Sequence, residues 1–150
     1  MTKFTRGNLL EADVEALVNA VNTVGVMGKG IALQFRQTFP ENYEAYRKAC
    51  RSGEVKIGKM FVVSTGYLTN PRYIINFPTK RHWRDKSKLE YIERGLEDLI
   101  YVVKEKNISS IAIPPLGCGL GGLRWEDVRP LIIEAFKSIP NMEVLVYEPY

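Results

Sequence analysis

At 150 residues the chain suits one domain burying about two-thirds of its unfolded surface, and its 45% apolar and 25% charged residues exclude disorder. No apolar run approaches the ~20 residues of a membrane span, the first residues carry acids and no apolar signal core, and Cys50 and Cys118 form no C-x-x-C pair, so no disulfide framework or zinc site is expected in what reads as a cytoplasmic protein. A net charge of +4 and a pI near 9.1 suit an anionic partner, a phosphate ligand or a nucleic acid, as well as they suit plain solubility.

A weak strand over 1–5 and a turn at Arg6-Gly7-Asn8 precede a buried strand over 14–21. A helix over 30–38 stops before Pro40, and a second, over 41–51, ends at Ser52-Gly53. Strands follow over 59–65 and 73–77. The longest helix, 89–106, places Leu89, Ile92, Leu96, Leu99, Ile100 and Val103 at helical spacing. A core strand over 110–113, a helix over 126–138 with Pro130 near its first turn, and a strand over 143–147 complete the chain. This alternation predicts one α/β domain over 1–150 with helices on both faces of a mixed, mostly parallel sheet. Ligands of such sheets bind at the carboxyl ends of the strands.

Two stretches after strands are rich in glycine. Residues 22–30 hold Gly25, Gly28 and Gly30 before a helix start, a place where backbone N–H groups and the helix dipole attract anions. The spacing is neither a dinucleotide fingerprint nor a Walker loop, since Leu33 stands where a third glycine belongs. Residues 114–123, PPLGCGLGGL, hold Gly117, Gly119, Gly121 and Gly122. Four glycines are more than a strand-to-helix turn needs, which suits a loop wrapped around a phosphate ligand. Cys118 inside it is either a nucleophile or a small residue that fits. Between these loops, Lys80-Arg81-His82-Trp83-Arg84-Asp85-Lys86 interleaves cations with an aromatic ring, the pattern that holds single-stranded nucleic acid. Trp83 stacks a base or packs beneath the loop; His82 carries protons, stacks, or is plain surface.

Arg6-Gly7-Asn8-Leu9-Leu10, Leu17-Val18-Asn19-Ala20-Val21-Asn22, Met27-Gly28-Lys29-Gly30-Ile31-Ala32 and the run from Pro115 to Trp125, in this order, resemble a macrodomain across essentially the whole chain. The resemblance implies a three-layer α/β/α fold that binds ADP-ribose. Met-Gly-Lys-Gly-Ile-Ala is similar to the branch with the terminal ADP-ribose glycohydrolase of animals and bacterial antitoxins that strip ADP-ribose from thymidine in single-stranded DNA. That branch uses a lysine after the central strand, here Lys80. The resemblance places Asn8 and Leu9 at the adenine, and Ala20, Val21 and Asn22 at the distal ribose. Gly28, Gly30, Ile31 and Ala32 would flank the ribose and diphosphate, with Gly117, Cys118, Gly119, Leu120 and Gly121 wrapped around the diphosphate. Thr79 and Lys80 would stand at the anomeric carbon, with Lys80 and Asn22 catalytic and Arg81, His82, Trp83 and Arg84 on nucleic acid. Asn8 replaces the family's usual aspartate, and Gly121 an acid of the animal enzyme, which leaves the acid–base partner of Lys80 unnamed.

A lysine near its reference pKa of about 10.4 is roughly 0.04% free amine at pH 7. Lowering it to ~8 costs ~3 kcal/mol and makes about a tenth reactive. Arg81 and partial burial push that way, and a bound diphosphate pushes back. Lys80 then either attacks the anomeric carbon or, protonated, assists ring opening or departure of the base. The expectation is a monomeric glycohydrolase without metal or cofactor. Its substrate would be ADP-ribosylated thymidine in single-stranded DNA, and a DNA ADP-ribosyltransferase toxin its partner. Removal of ADP-ribose from protein glutamate and non-catalytic binding of ADP-ribose are the alternatives.

Overall fold

A computed structural model of the chain describes residues 1–149; residue 150, the end of the expected domain, lies outside the described residues. Six strands form one sheet: β1 (Thr2–Thr5), β2 (Ala16–Val21), β3 (Phe61–Ser64), β4 (Tyr73–Pro78), β5 (Ser110–Ile113) and β6 (Glu143–Tyr147). Their order is β1-β6-β5-β2-β4-β3, parallel throughout except for the antiparallel pair β3 and β4. The helices are α1 (Gly30–Thr38), α2 (Pro40–Arg51), α3 (Leu89–Glu105) and α4 (Trp125–Phe136).

Alternation along the strands sorts side chains into two layers. Ala16 and Val18 of β2, Ile75 and Phe77 of β4, Ile111 and Ile113 of β5, and Val144 and Val146 of β6 meet α3 and α4 in one core. Leu17, Ile74 and Ala112 face the other way, with Phe35 of α1. Tyr46 and Ala49 of α2 complete that layer with Met27 and Val21. The result is the expected three-layer α/β/α arrangement.

Three buried asparagines cross the α1–α2 face. Asn19 and Asn76 are register partners on β2 and β4. Asn19 Nδ2 donates to Asn76 Oδ1 at 3.3 Å, and Asn76 exchanges hydrogen bonds with Asn42 of α2 at 2.9 and 3.2 Å. On the opposite face, Gly95 in mid-α3 is required by packing, because a Cβ there would lie 2.3 Å from the Phe77 ring. Its helix cost of about 1 kcal/mol relative to alanine is offset by seating Phe77, and with it the end of β4.

Several boundaries differ from the expected ones. A short 3-10 turn over Leu9–Glu11 follows Asn8, whose Oδ1 accepts from the Leu10 N–H at 3.1 Å. β2 starts at Ala16 rather than 14, and β3 covers Phe61–Ser64 rather than 59–65. Pro130 is the sixth residue of α4, beyond the first turn; it is exposed, so the carbonyl it leaves unpaired meets water. Among the described residues no helix is long and apolar enough to cross a membrane.

Candidate functional site

Because β1, β2, β4, β5 and β6 run parallel, the chain leaves all five at the same rim. There a cleft of about 1300 Å³ opens between the 22–30 loop, the 114–123 loop, the segment after β4 and the end of β6. Asn8, Leu9, Ala20, Val21, Asn22, Gly28, Gly30, Ile31, Ala32, Thr79, Lys80, Gly117, Gly119, Leu120 and Gly121 line it, as do Trp83 and Arg84.

The two glycine loops differ in construction. In the first, Asn22 Oδ1 accepts from Val24 N–H at 3.1 Å and from the Tyr46 hydroxyl at 2.8 Å, while its Nδ2 donates to the Val26 carbonyl at 2.8 Å. Burial pushes the Tyr46 hydroxyl far above its usual pKa, so it remains a donor. Met27 is fully buried beneath the loop. Gly25 and Gly30 take positive φ, 86° and 59°, a conformation glycine adopts without strain. The first-turn N–H groups of α1 beyond Gly30 have no intrahelical acceptor, as at any helix start. Both polar atoms of Asn22 thus make hydrogen bonds that fix the path of its loop, one of them to Tyr46 of α2.

In the second loop Gly117 and Gly122 have φ of 74° and 79°. A Cβ on Gly121 would lie 2.4 Å from Ser87 Oγ and 2.5 Å from the Gly117 carbonyl oxygen. Three of the four glycines are therefore demanded by the loop's own path, and only Gly119, with nothing within 4 Å of a Cβ, is left to a ligand. An acid at position 121 has no room in this loop. The N–H groups of Gly119, Leu120 and Gly121 have no acceptor among the described residues, so three consecutive amides are available to an anionic ligand. Cys118 departs from the expected set: it turns from the cleft into the α3–α4 core, with Sγ 3.6 Å from the Leu116 carbonyl. Burial, with Glu126 and Asp127 nearby, pushes its thiol up to about 11, so it is no nucleophile at neutral pH.

Lys80 follows Thr79, whose N–H donates to the Val21 carbonyl at 2.9 Å and so prolongs the pairing of β4 with β2. Thr23 grips the next carbonyl, that of Arg81, through both its N–H and its hydroxyl at 2.9 Å. Partial burial lowers the Lys80 pKa, the Lys86 cation lowers it further, and Asp85 opposes both. The like charge beside it is thus Lys86, not the expected Arg81, which lies with its guanidinium 5.5 Å from the Tyr91 ring centre. Arg81 and His82 sit outside the cleft, unlike Trp83 and Arg84.

Lining residues not foreseen include Lys29, Gln34, Gln37 and Thr38, and Tyr147 at the end of β6 with Glu148 and Pro149 beyond it. The α1 set was legible as a polar stripe at helical spacing from Gly30. Nothing local marks the end of β6, which reaches the cleft because it neighbours β1. Among the described residues no three His, Cys, Asp or Glu side chains cluster as a metal site.

A sequence profile described as Macro domain matches residues 18–132. The chain is 60% identical over 149 residues to the DNA ADP-ribosyl glycohydrolase of Thermus aquaticus, covering 99% of this chain and 41% of that one. It is 35% identical to the DNA ADP-ribosyl transferase-DNA ADP-ribosyl glycohydrolase fusion protein of Thermosipho africanus, covering 95% and 40%. It thus spans about two-fifths of the length of these curated relatives. Among solved structures, the macrodomain of Mycobacterium tuberculosis DarG matches with a TM-score of 0.99 at 59% identity, covering 100% of this chain and 99% of that one. A structure described as Thermosipho africanus DarTG in complex with ADP-ribose matches with a TM-score of 0.90 at 35% identity, covering 99% and 41%.

Proposed function

Because the chain belongs to the macrodomain family, we propose that it is an ADP-ribosyl glycohydrolase that removes ADP-ribose from thymidine in single-stranded DNA, as antidote to a toxin that attaches it. The observation that carries this reading is a juxtaposition: Gly119, Leu120 and Gly121 with their free amides, the amino end of α1 and the Lys80 segment all line one cleft. Two donor sets, the 119–121 amides and the start of α1, line the same cleft and suit the phosphates of a diphosphate. A diphosphate held there brings the attached sugar toward Lys80. The 60% identity to a protein named DNA ADP-ribosyl glycohydrolase supports DNA as the substrate, and the fusion relative supports the pairing with a transferase.

In the reaction, the bond between the anomeric carbon and the thymine nitrogen breaks and its electron pair leaves with the base. Water supplies hydroxyl to the carbon and a proton to the base, giving free ADP-ribose and unmodified thymidine. Burial and the Lys86 cation favour the neutral amine of Lys80, the form that attacks carbon. A lysine–sugar adduct formed in this way is resolved by water, which regenerates the amine.

A modified single-stranded oligonucleotide tests the reading. The protein is expected to release ADP-ribose without added metal. Lys80→Ala is expected to lose at least about a hundredfold in turnover, with ADP-ribose still bound in calorimetry. Mass spectrometry of the working enzyme reads the adduct directly. Undiminished cleavage by Lys80→Ala would remove Lys80 from the chemistry.

A further inference from the structure

The amine that the reaction needs is held in a hydrogen bond of its own. Lys80 Nζ donates to the backbone carbonyl of Trp83 at 3.0 Å, which turns it back onto the segment that follows. Residues 82–85 form a closed turn: Asp85 N–H donates to the His82 carbonyl at 3.0 Å, His82 N–H to an Asp85 carboxylate oxygen at 3.2 Å, and Arg84 N–H to His82 Nδ1 at 3.2 Å. The turn is suspended between two anchors. Thr23 holds the Arg81 carbonyl on one side, and Ser87 N–H donates to the Gly121 carbonyl at 2.9 Å on the other.

Trp83 lines the cleft and is 50% exposed. His82 lies with its ring centre 5.0 Å away, and the Arg84 guanidinium 5.3 Å from the indole centre. A large ring left half open beside a reactive amine is stabilised when a planar group covers it, and a nucleobase is such a group. The same residue therefore offers a stacking surface on its side chain and holds the amine on its main chain.

We propose that Trp83 is a substrate-operated latch: the thymine that carries ADP-ribose stacks on the open indole, shifts the 82–85 turn, and frees Lys80 from the Trp83 carbonyl. This rests on the glycohydrolase reading and deepens it, by making the base the element that arms the lysine. ADP-ribose alone has no thymine to offer and leaves Lys80 bonded. A modified glutamate side chain has no ring, so the turn discriminates nucleic acid from protein. Trp83 acts through Lys80 and is a positioning residue.

The test compares wild type, Trp83→Phe and Trp83→Ala on the modified oligonucleotide, with ADP-ribose affinity measured in parallel. Trp83→Ala is expected to lose at least about tenfold in kcat, and Trp83→Phe to keep most of it, while the ADP-ribose dissociation constant stays within about twofold. The chain has two tryptophans, so a Trp125→Phe, Lys80→Ala protein reports Trp83 fluorescence without turnover. Quenching by the modified oligonucleotide but not by ADP-ribose is expected. Equal kcat for Trp83→Ala and wild type overturns the latch, as does equal quenching by both ligands. Loss of ADP-ribose affinity in step with kcat would reduce Trp83 to a cleft wall and overturn it too. No release of ADP-ribose by the wild type would instead sink the glycohydrolase reading, and the latch with it.

Discussion

Between β2 and α1 the chain holds its loop from below: Asn22 ties the backbone of residues 24–26, and Tyr46 and the buried Met27 hold it to α2. Between β5 and α4 the support is backbone on backbone. Leu123 N–H donates to the Gly117 carbonyl, Gly122 N–H to Gly119, and Ser87 N–H to Gly121. One loop is thus specified by side chains, Asn22 at the cleft with Tyr46 and Met27 beneath it, the other by the absence of side chains within it. Glycine in the first answers to two positive φ angles. In the second it also answers to a close approach that leaves no room for a methyl group.

Changes on either side should separate the two designs. Gly121→Ala has the largest expected effect, because its methyl group would overlap the Gly117 carbonyl and Ser87 Oγ. A loss of about 1–3 kcal/mol in urea unfolding is expected, together with weakened ADP-ribose binding. Gly119→Ala is the control, since its methyl group meets nothing within 4 Å; stability should stay within about 0.5 kcal/mol, and any loss of affinity reports the ligand alone. If the two alanines behave alike, the second loop is not held by its own backbone. Tyr46→Phe tests the first loop. It removes the buried hydroxyl that donates to Asn22, whose Oδ1 keeps only backbone donors of its own loop, and a loss of about 1–2 kcal/mol is expected in thermal or urea unfolding. An unchanged midpoint would mean that the loop does not hang from α2.

The smallest expected effect is a displacement of a pH profile. Lys86 lies along Gly122, and its cation lowers the Lys80 pKa. The proposed attack by Lys80 needs the deprotonated amine, so turnover should rise with pH to a midpoint below the ordinary lysine value. Lys86→Gln removes the like charge, makes protonation of Lys80 easier, and should move that midpoint to higher pH. Movement to lower pH, or none, would detach the second loop's rim from the lysine.

The fold was largely legible because its signals are local. The apolar run of β2, the α1 bounds at Gly30 and Thr38, and the helical spacing in α3 each follow from patterns within a few residues. The buried stripe of α3 lies slightly off the axis that its apolar spacing predicts: Tyr91, Gly95 and Val102 are buried, and Ile100 only half so. In the site, composition marked the stretches that line the cleft but not how each residue is held there. Glycine abundance looked like ligand binding where three of four positions serve the loop's own path. Cys118 lay within the motif yet points inward, and Asn22 is spent on its neighbours. The Thr23 grip on Arg81, the Ser87 anchor and the arrival of Tyr147 and Glu148 at the cleft join residues tens of positions apart, and no local pattern encodes them.

The paired amides of Asn19 and Asn76 act as an index mark between adjacent strands. Sliding β4 along β2 by two residues, the smallest step that keeps its faces, would set each amide against aliphatic neighbours, at the cost of a desolvated polar group. The same slide would carry Lys80 about 6–7 Å along the strand axis, well out of reach of any fixed sugar. Alignment of Lys80 with the cleft is thus enforced several residues upstream, deep in the protein and away from solvent.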